Sequence, residues 1–221
     1  MIRSSEVTKV RVLSNRQDLL DLAPEHPMYE RLHLPSLSIG ALQNNMLGEG
    51  RAFFLDYSSS EGMEYVGFVN ARWNEKYFRL RTKLQDLPDV VDRFAAPGIV
   101  LAPWPTNCSW LDYGTDWYRL SVEQHCTMEG LLQELAELTG LSVAPRNLTF
   151  WANDFICHWS VFEDWLQFWR STFSYFMKKY GFELPFSISN TDPSRYCAYF
   201  YERFSTIYFA NRDDLRVLGV P

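Results

Sequence analysis

Asn153 and Asp154 interrupt an otherwise apolar, aromatic stretch, Phe150-Trp151-Ala152-Asn153-Asp154-Phe155. Polar groups in such a setting must be hydrogen-bonded or lie at an opening, because an unpaired one is costly to bury. At an opening, Asp154 can serve as a general base or a metal ligand, with Asn153 orienting a substrate; it can equally cap a turn. A second charged pair is Glu202-Arg203, where Arg203 falls on the same helical stripe as Tyr196, Phe200 and Ile207. A buried arginine needs a partner. Glu202 supplies one in a structural ion pair, while the planar guanidinium also suits a phosphate or a substrate acid. Arg72 follows the apolar run at residues 65–71. Either it lies in solvent, or it stands at a strand's carboxyl end, where open α/β sheets bind ligands, and meets the diphosphate of an activated donor.

Other constellations carry less. His125-Cys126 and Cys157-His158 are zinc-type ligands, but their spacing fits none of the usual zinc patterns, and no metal site is predicted from them. Phosphate-loop, dinucleotide-fold, nucleophile-elbow and zinc-protease motifs do not occur.

The elements that must position these residues centre on a helix over 160–180. Phe162, Trp165, Leu166, Trp169, Phe173, Phe176, Met177 and Tyr180 recur at three- and four-residue intervals and make one broad apolar face. Ser160 and Glu163 have capping-box spacing, Lys178 and Lys179 suit the negative end of the helix dipole, and Gly181 is a natural stop. Strands are expected at 7–13, 51–57, 65–71, 99–101, 149–155 and 217–220. Helices are expected at 16–22, 36–47, 75–94 with a break near Pro88, 116–125, 127–138 and 192–211. Pro24, Pro27 and Pro35 mark a loop. Apolar strands alternating with helices predict one α/β domain with a mostly parallel central sheet and a helical C-terminal third, about 156–221.

Composition agrees with a folded globular chain: 221 residues, 47% hydrophobic and 22% charged. Aromatics make up 16%, with eight Trp, a set that builds cores and also stacks on sugars and bases. The formal charge of −6 argues against a large nucleic-acid surface. Four separated cysteines, no secretory leader and no apolar run of membrane-spanning length lead to the expectation of a cytoplasmic protein with free thiols.

Three segments resemble the DUF4422-type family of bacterial glycosyltransferases found among capsule and exopolysaccharide genes. The first is Tyr65-Val66-Gly67-Phe68-Val69-Asn70-Ala71-Arg72-Trp73-Asn74, similar to a family motif Tyr-Ile-Gly-Leu-x-His-Tyr-Arg-Arg-Tyr. Tyr65, Gly67 and Arg72 agree, and Asn70 replaces the histidine. The second pairs Asn153-Asp154-Phe155-Ile156 with the aromatic helix that follows. The third is Ala198-Tyr199-Phe200-Tyr201-Glu202-Arg203-Phe204, similar to Gly-Tyr-x-x-Glu-Arg-Leu.

The resemblance implies a single domain over 1–221, similar to the GT-A type, that moves a sugar from a nucleotide donor, UDP-linked, to a hydroxyl of a glycan or polysaccharide. It implies catalytic roles for Asp154, Asn153 and Glu202, and donor contacts from Arg72, Arg203, Asn70 and Trp73. Trp73, Trp104, Trp110 and Trp151 either form a sugar platform or pack individually into the core. A divalent metal, Mn or Mg, would need ligands other than an Asp-x-Asp pair, which the chain lacks. Two other readings stay open. One is a non-catalytic module that binds a glycan or a protein through its aromatic loop. The other is a transferase acting on modified bases of viral DNA, which the acidic balance disfavours.

Overall fold

The structure is a computed structural model, described for residues 3–37, 48–57, 60, 62–78, 80–103, 128–143, 153–181 and 196–221. Six strands form one sheet: β1 (Thr8–Ser14), β2 (Tyr29–His33), β3 (Tyr65–Asn70), β4 (Ile99–Pro103), β5 (Phe155–His158) and β6 (Arg216–Val220), in the order β2-β1-β3-β5-β4-β6. The pairs β1–β2, β1–β3 and β4–β6 are parallel, and β5 runs antiparallel to both β3 and β4. Five strands therefore share a direction, in line with the mostly parallel α/β sheet that the alternating elements predict.

Both faces are covered. Along β3, Val66 and Phe68 point to one layer, while Tyr65 and Val69 point to the other. The second layer holds α1 (Gln17–Asp21), α2 (Trp73–Lys76) and α3 (Leu87–Phe94). The first holds α4 (Met128–Thr139), α5 (Trp159–Tyr180), α6 (Tyr196–Ala210) and the 3-10 segment Gly48–Phe54. The aromatic stripe of α5 is core: Phe162, Trp165, Leu166, Trp169, Phe173 and Phe176 are buried against the sheet and α6, with Trp169 and Phe173 stacked at 5.2 Å. Gly181 ends the helix at φ 62, its N–H donating to the Met177 carbonyl at 2.9 Å.

Several expectations are corrected. The run at 51–57 is not a strand. It is folded into Gly48–Phe54 and its continuation, because Arg170 takes its carbonyls: Nε donates to Phe53 O at 2.7 Å and Nη2 to Leu55 O at 2.6 Å. Ala52 and Phe53 are fully buried, which explains the strand-like hydrophobicity. β2 falls where the prolines suggest only loop; Pro27 and Pro35 flank this half-exposed edge strand without interrupting it. Pro88 opens α3 in its first turn and does not break a longer helix. Helix α5 starts at Trp159, and its cap is His158, whose Nδ1 accepts the Ser160 N–H at 3.3 Å. The predicted Ser160–Glu163 box is thus displaced. The expected helix at 116–125, most of the one at 36–47, and the start of the last helix at Asp192-Pro193 lie outside the described residues.

Gly67 has a structural reason. It faces Ile156 in the β3–β5 register, and a Cβ there would sit 2.1 Å from Phe155 O and 2.7 Å from Ile156 Cα. Only glycine lets the reversed strand approach so closely.

Candidate active site at the carboxyl edge of the sheet

β3 ends at Asn70, and the chain turns at once. The Asn70 side-chain oxygen accepts the Arg72 N–H at 2.9 Å, a local turn that asparagine forms readily. Arg72 then precedes the four-residue α2. Its side chain is 58% exposed and pairs with Glu75 at 2.9 Å. It therefore stands at the sheet's carboxyl edge, as its position after the apolar run implies.

Asp154 comes to this point from the other direction, at the head of β5. Its Oδ1 accepts the Asn70 N–H at 2.6 Å, and its Oδ2 accepts the Tyr77 hydroxyl at 2.5 Å. The Lys76 ammonium lies 4.0 Å from the same oxygen. Asp154 is 1% exposed. A buried carboxylate is tolerable only with such donors and a nearby cation. Both the polar interruption and the strand end of the sequence thus meet in one cluster. Tyr77 and Lys76 are the residues that sequence reasoning missed. They lie in and just after a short helix, and nothing local ties them to a carboxylate 77 positions away.

Asn153 is buried and has φ 55, the left-handed region that non-glycine residues seldom occupy. This kink delivers the chain into β5; residues 149–152 of the expected strand lie outside the described residues. Asn153 Oδ1 accepts the Ser205 hydroxyl, and Ser205 Oγ accepts the Trp165 indole N–H at 3.1 Å. The aromatic helix, α6 and the kink are therefore joined by one hydrogen-bonded chain.

That chain orients Glu202. Ser205 meets Asn153, and Phe209, four residues on, packs edge-on to Phe155 at 5.0 Å. So α6 runs alongside β5 in the same direction. Glu202, one turn before Ser205 and on the same stripe, lies past Asn153 on the side of the parallel strands' carboxyl ends. Its side chain is 14% exposed and sits 3.6 Å from Arg203, which is 1% exposed. The structural ion pair expected for Glu202 and Arg203 is present.

Two expected roles are corrected. Trp73 is 2% exposed, its indole N–H donates to Thr82 O at 3.1 Å, and its ring packs on Tyr77 at 5.0 Å. It braces α2 from within the core and offers no face to a sugar or a donor. Arg203 is sealed among core residues, so its guanidinium has no direct face to solvent. Trp104, Trp110 and Trp151 lie outside the described residues, as do His125 and Cys126. Cys157 is buried, and burial pushes its thiol far above the usual range, so it stays protonated. Among the described residues no three His, Cys, Asp or Glu side chains group as metal ligands, and no helix is long and apolar enough to cross a membrane.

No family model matches the chain, and no curated protein matches it in sequence. One solved structure is similar: the WbbM bifunctional glycosyltransferase in its apo form, with a TM-score of 0.55 and 16% identity over 96% of this chain. The chain spans 44% of that protein's length. At this identity the likeness is one of fold: the chain has a glycosyltransferase-like α/β fold with a mixed six-stranded sheet and a helical C-terminal part.

Proposed function

We propose that the chain is a glycosyltransferase that moves a sugar from a nucleotide donor, UDP-linked, to a hydroxyl of a growing glycan or polysaccharide. The observation that carries this reading is the convergence of Asn70, Arg72, Asp154 and Asn153 at the carboxyl edge of a sheet whose fold matches a glycosyltransferase over 96% of the chain. Sugar transfer needs cationic groups at the leaving diphosphate and a base at the acceptor hydroxyl. Arg72, exposed at the turn, meets the diphosphate. Asp154, sealed under Asn70 and Tyr77, holds that turn and acts as a positioning residue. Glu202, on the edge-facing stripe of α6, takes the acceptor's proton as its oxygen bonds to the anomeric carbon and the nucleoside diphosphate departs. Arg203 orients Glu202. Mn or Mg has no Asp-x-Asp pair to hold it, both Asp154 oxygens already accept hydrogen bonds and the described residues make no ligand group, so no step here passes through a metal.

A panel of nucleotide sugars read by thermal shift, with and without manganese, tests the donor. A donor well above its Kd raises the melting temperature by mass action. The expected result is a shift with one uridine-linked sugar and slow release of free UDP from it. No shift with any donor would refute the reading. One observation favours a non-catalytic glycan-binding role, namely that Asp154 is sealed from solvent. Donor binding with no turnover in the presence of acceptor glycans would support that role.

A further inference from the structure

The segment read from sequence as a strand carries a feature that the core alone does not use. Arg51 is 4% exposed, and its Nη2 donates to the carbonyl of Leu37. Its Nε and Nη1 are buried and find no hydrogen-bond partner among the described residues. An unpaired buried guanidinium donor is costly. The contrast with Arg11 is instructive. Arg11 is also buried, but it donates to Ser60 at 2.7 Å, pairs with Glu30 at 3.1 Å and lies 4.4 Å over the Tyr57 ring. One Arg11 donor, Nη1, is likewise buried without a partner, but Glu30 meets its charge, whereas no acidic side chain is paired with Arg51 among the described residues.

The position of Arg51 gives the vacancy a use. Leu37 lies just past the carboxyl end of β2, beyond the 3-10 turn Leu34–Ser36. The neighbouring Gly50 abuts Trp169, whose indole N–H donates to Tyr201 O in the part of α6 that precedes Ser205. Both contacts place Arg51 at the same edge of the sheet as Asn70 and Asp154. In the strand order β2-β1-β3, the ends of β2 and β3 are two strand spacings apart, roughly 10 Å.

We propose that Arg51 is an oxyanion-binding residue whose Nε–H and Nη1–H donate to separate oxygens of the nucleotide donor's diphosphate. The two N–H groups diverge on either side of the Nη2 that Leu37 takes, which suits oxygens of neighbouring phosphoryl groups, and water exclusion strengthens such charge-assisted bonds. The ligand class rests on the donor reading above, while the anion site rests on Arg51 itself.

The test is thermal melting of the full chain and of R51M and R51K, with inorganic pyrophosphate and with UDP as probes. Pyrophosphate at ten times its Kd is expected to raise the wild-type midpoint by about 3 °C. R51M is expected to melt no lower than wild type without ligand and to lose the shift. R51K, which keeps the charge but not the two separated guanidinium N–H groups, is expected to keep less than half of it. Absence of a wild-type shift with either probe would overturn the proposal. So would a low-melting R51M whose shift is intact. If R51M does not fold, R51K decides: a full shift overturns the proposal and a reduced one supports it. A pyrophosphate shift without any nucleotide-sugar binding would leave the anion site standing and end the donor reading.

Discussion

The carboxylate of Asp154 holds the backbone N–H of Asn70 at 2.6 Å across 84 positions of sequence. This one bond joins the end of the parallel half of the sheet to the start of its reversed strand. It also changes what Asp154 is expected to do. A carboxylate reached by a backbone N–H, a tyrosine hydroxyl and a lysine at 4.0 Å supports structure as well as any chemistry at the edge.

Asp154→Ala is therefore expected to destabilise the fold by about 3 kcal/mol, since it leaves the Asn70 N–H and the Tyr77 hydroxyl buried without their acceptor. Tyr77→Phe is expected to cost about 1–2 kcal/mol. Urea unfolding of both single variants and the double variant gives the coupling, expected near 1 kcal/mol. Additive losses would show that the two groups do not interact.

Gly67→Ala places a methyl group against two backbone atoms, at 2.1 Å and 2.7 Å. Backbone in the middle of a sheet cannot yield as a side-chain tip can. The variant is expected to lose more than about 3 kcal/mol or to be insoluble on expression. A soluble protein with an unchanged urea midpoint would show that β3 and β5 do not pair as described.

The kink at Asn153 separates two contributions. Asn153→Gly removes the side-chain acceptor but suits φ 55, whereas Asn153→Ala removes the acceptor and keeps the backbone strain. The glycine variant is expected to be the more stable by about 1 kcal/mol. Ser205→Ala breaks the link from Trp165 to Asn153 and is expected to cost about 1–3 kcal/mol. Guanidinium unfolding of the three variants checks the order.

Glu134 clamps α4 to α5. Its carboxylate accepts from Tyr175 at 2.9 Å, Lys179 at 2.6 Å and Tyr180 at 2.5 Å. Burial alone would raise its pKa, but these donors hold it below the ordinary glutamate value. A depressed pKa contributes stability that is present above the unfolded-state value, about 4.3, and is lost as pH falls through the lower folded-state value. Melting curves from pH 6 to pH 3 are expected to drop more steeply for wild type than for Glu134→Gln. Parallel curves would mean that the clamp does not form.

Much of the frame was legible in the residues themselves. The spacing of Phe162, Trp165, Trp169, Phe173 and Phe176 predicts the face that α5 buries, and the apolar runs locate β1, β3, β4 and β6 to within a residue or two. Helical and strand periodicities are local, so the chain announces them. The segment 48–57 was not legible, because its hydrophobicity reports burial and not the backbone form that Arg170 imposes from 115 positions away. β2 was hidden for the opposite reason: as an edge strand it carries too little apolar alternation to be seen.

At the site, the sequence by itself determined which residues break the apolar pattern: Asn153, Asp154, Arg72 and the Glu202-Arg203 pair. Only the tertiary structure decided their company. It seals Asp154 under Tyr77 and Asn70, leaves Arg72 exposed, turns Trp73 into the core, and buries Arg51 with Nε and Nη1 unpaired among the described residues. A residue's type sets what it can donate or accept, but burial and partners set what that capacity is used for. Those partners come from strand order and helix packing, which join positions too distant in sequence for any local pattern to relate.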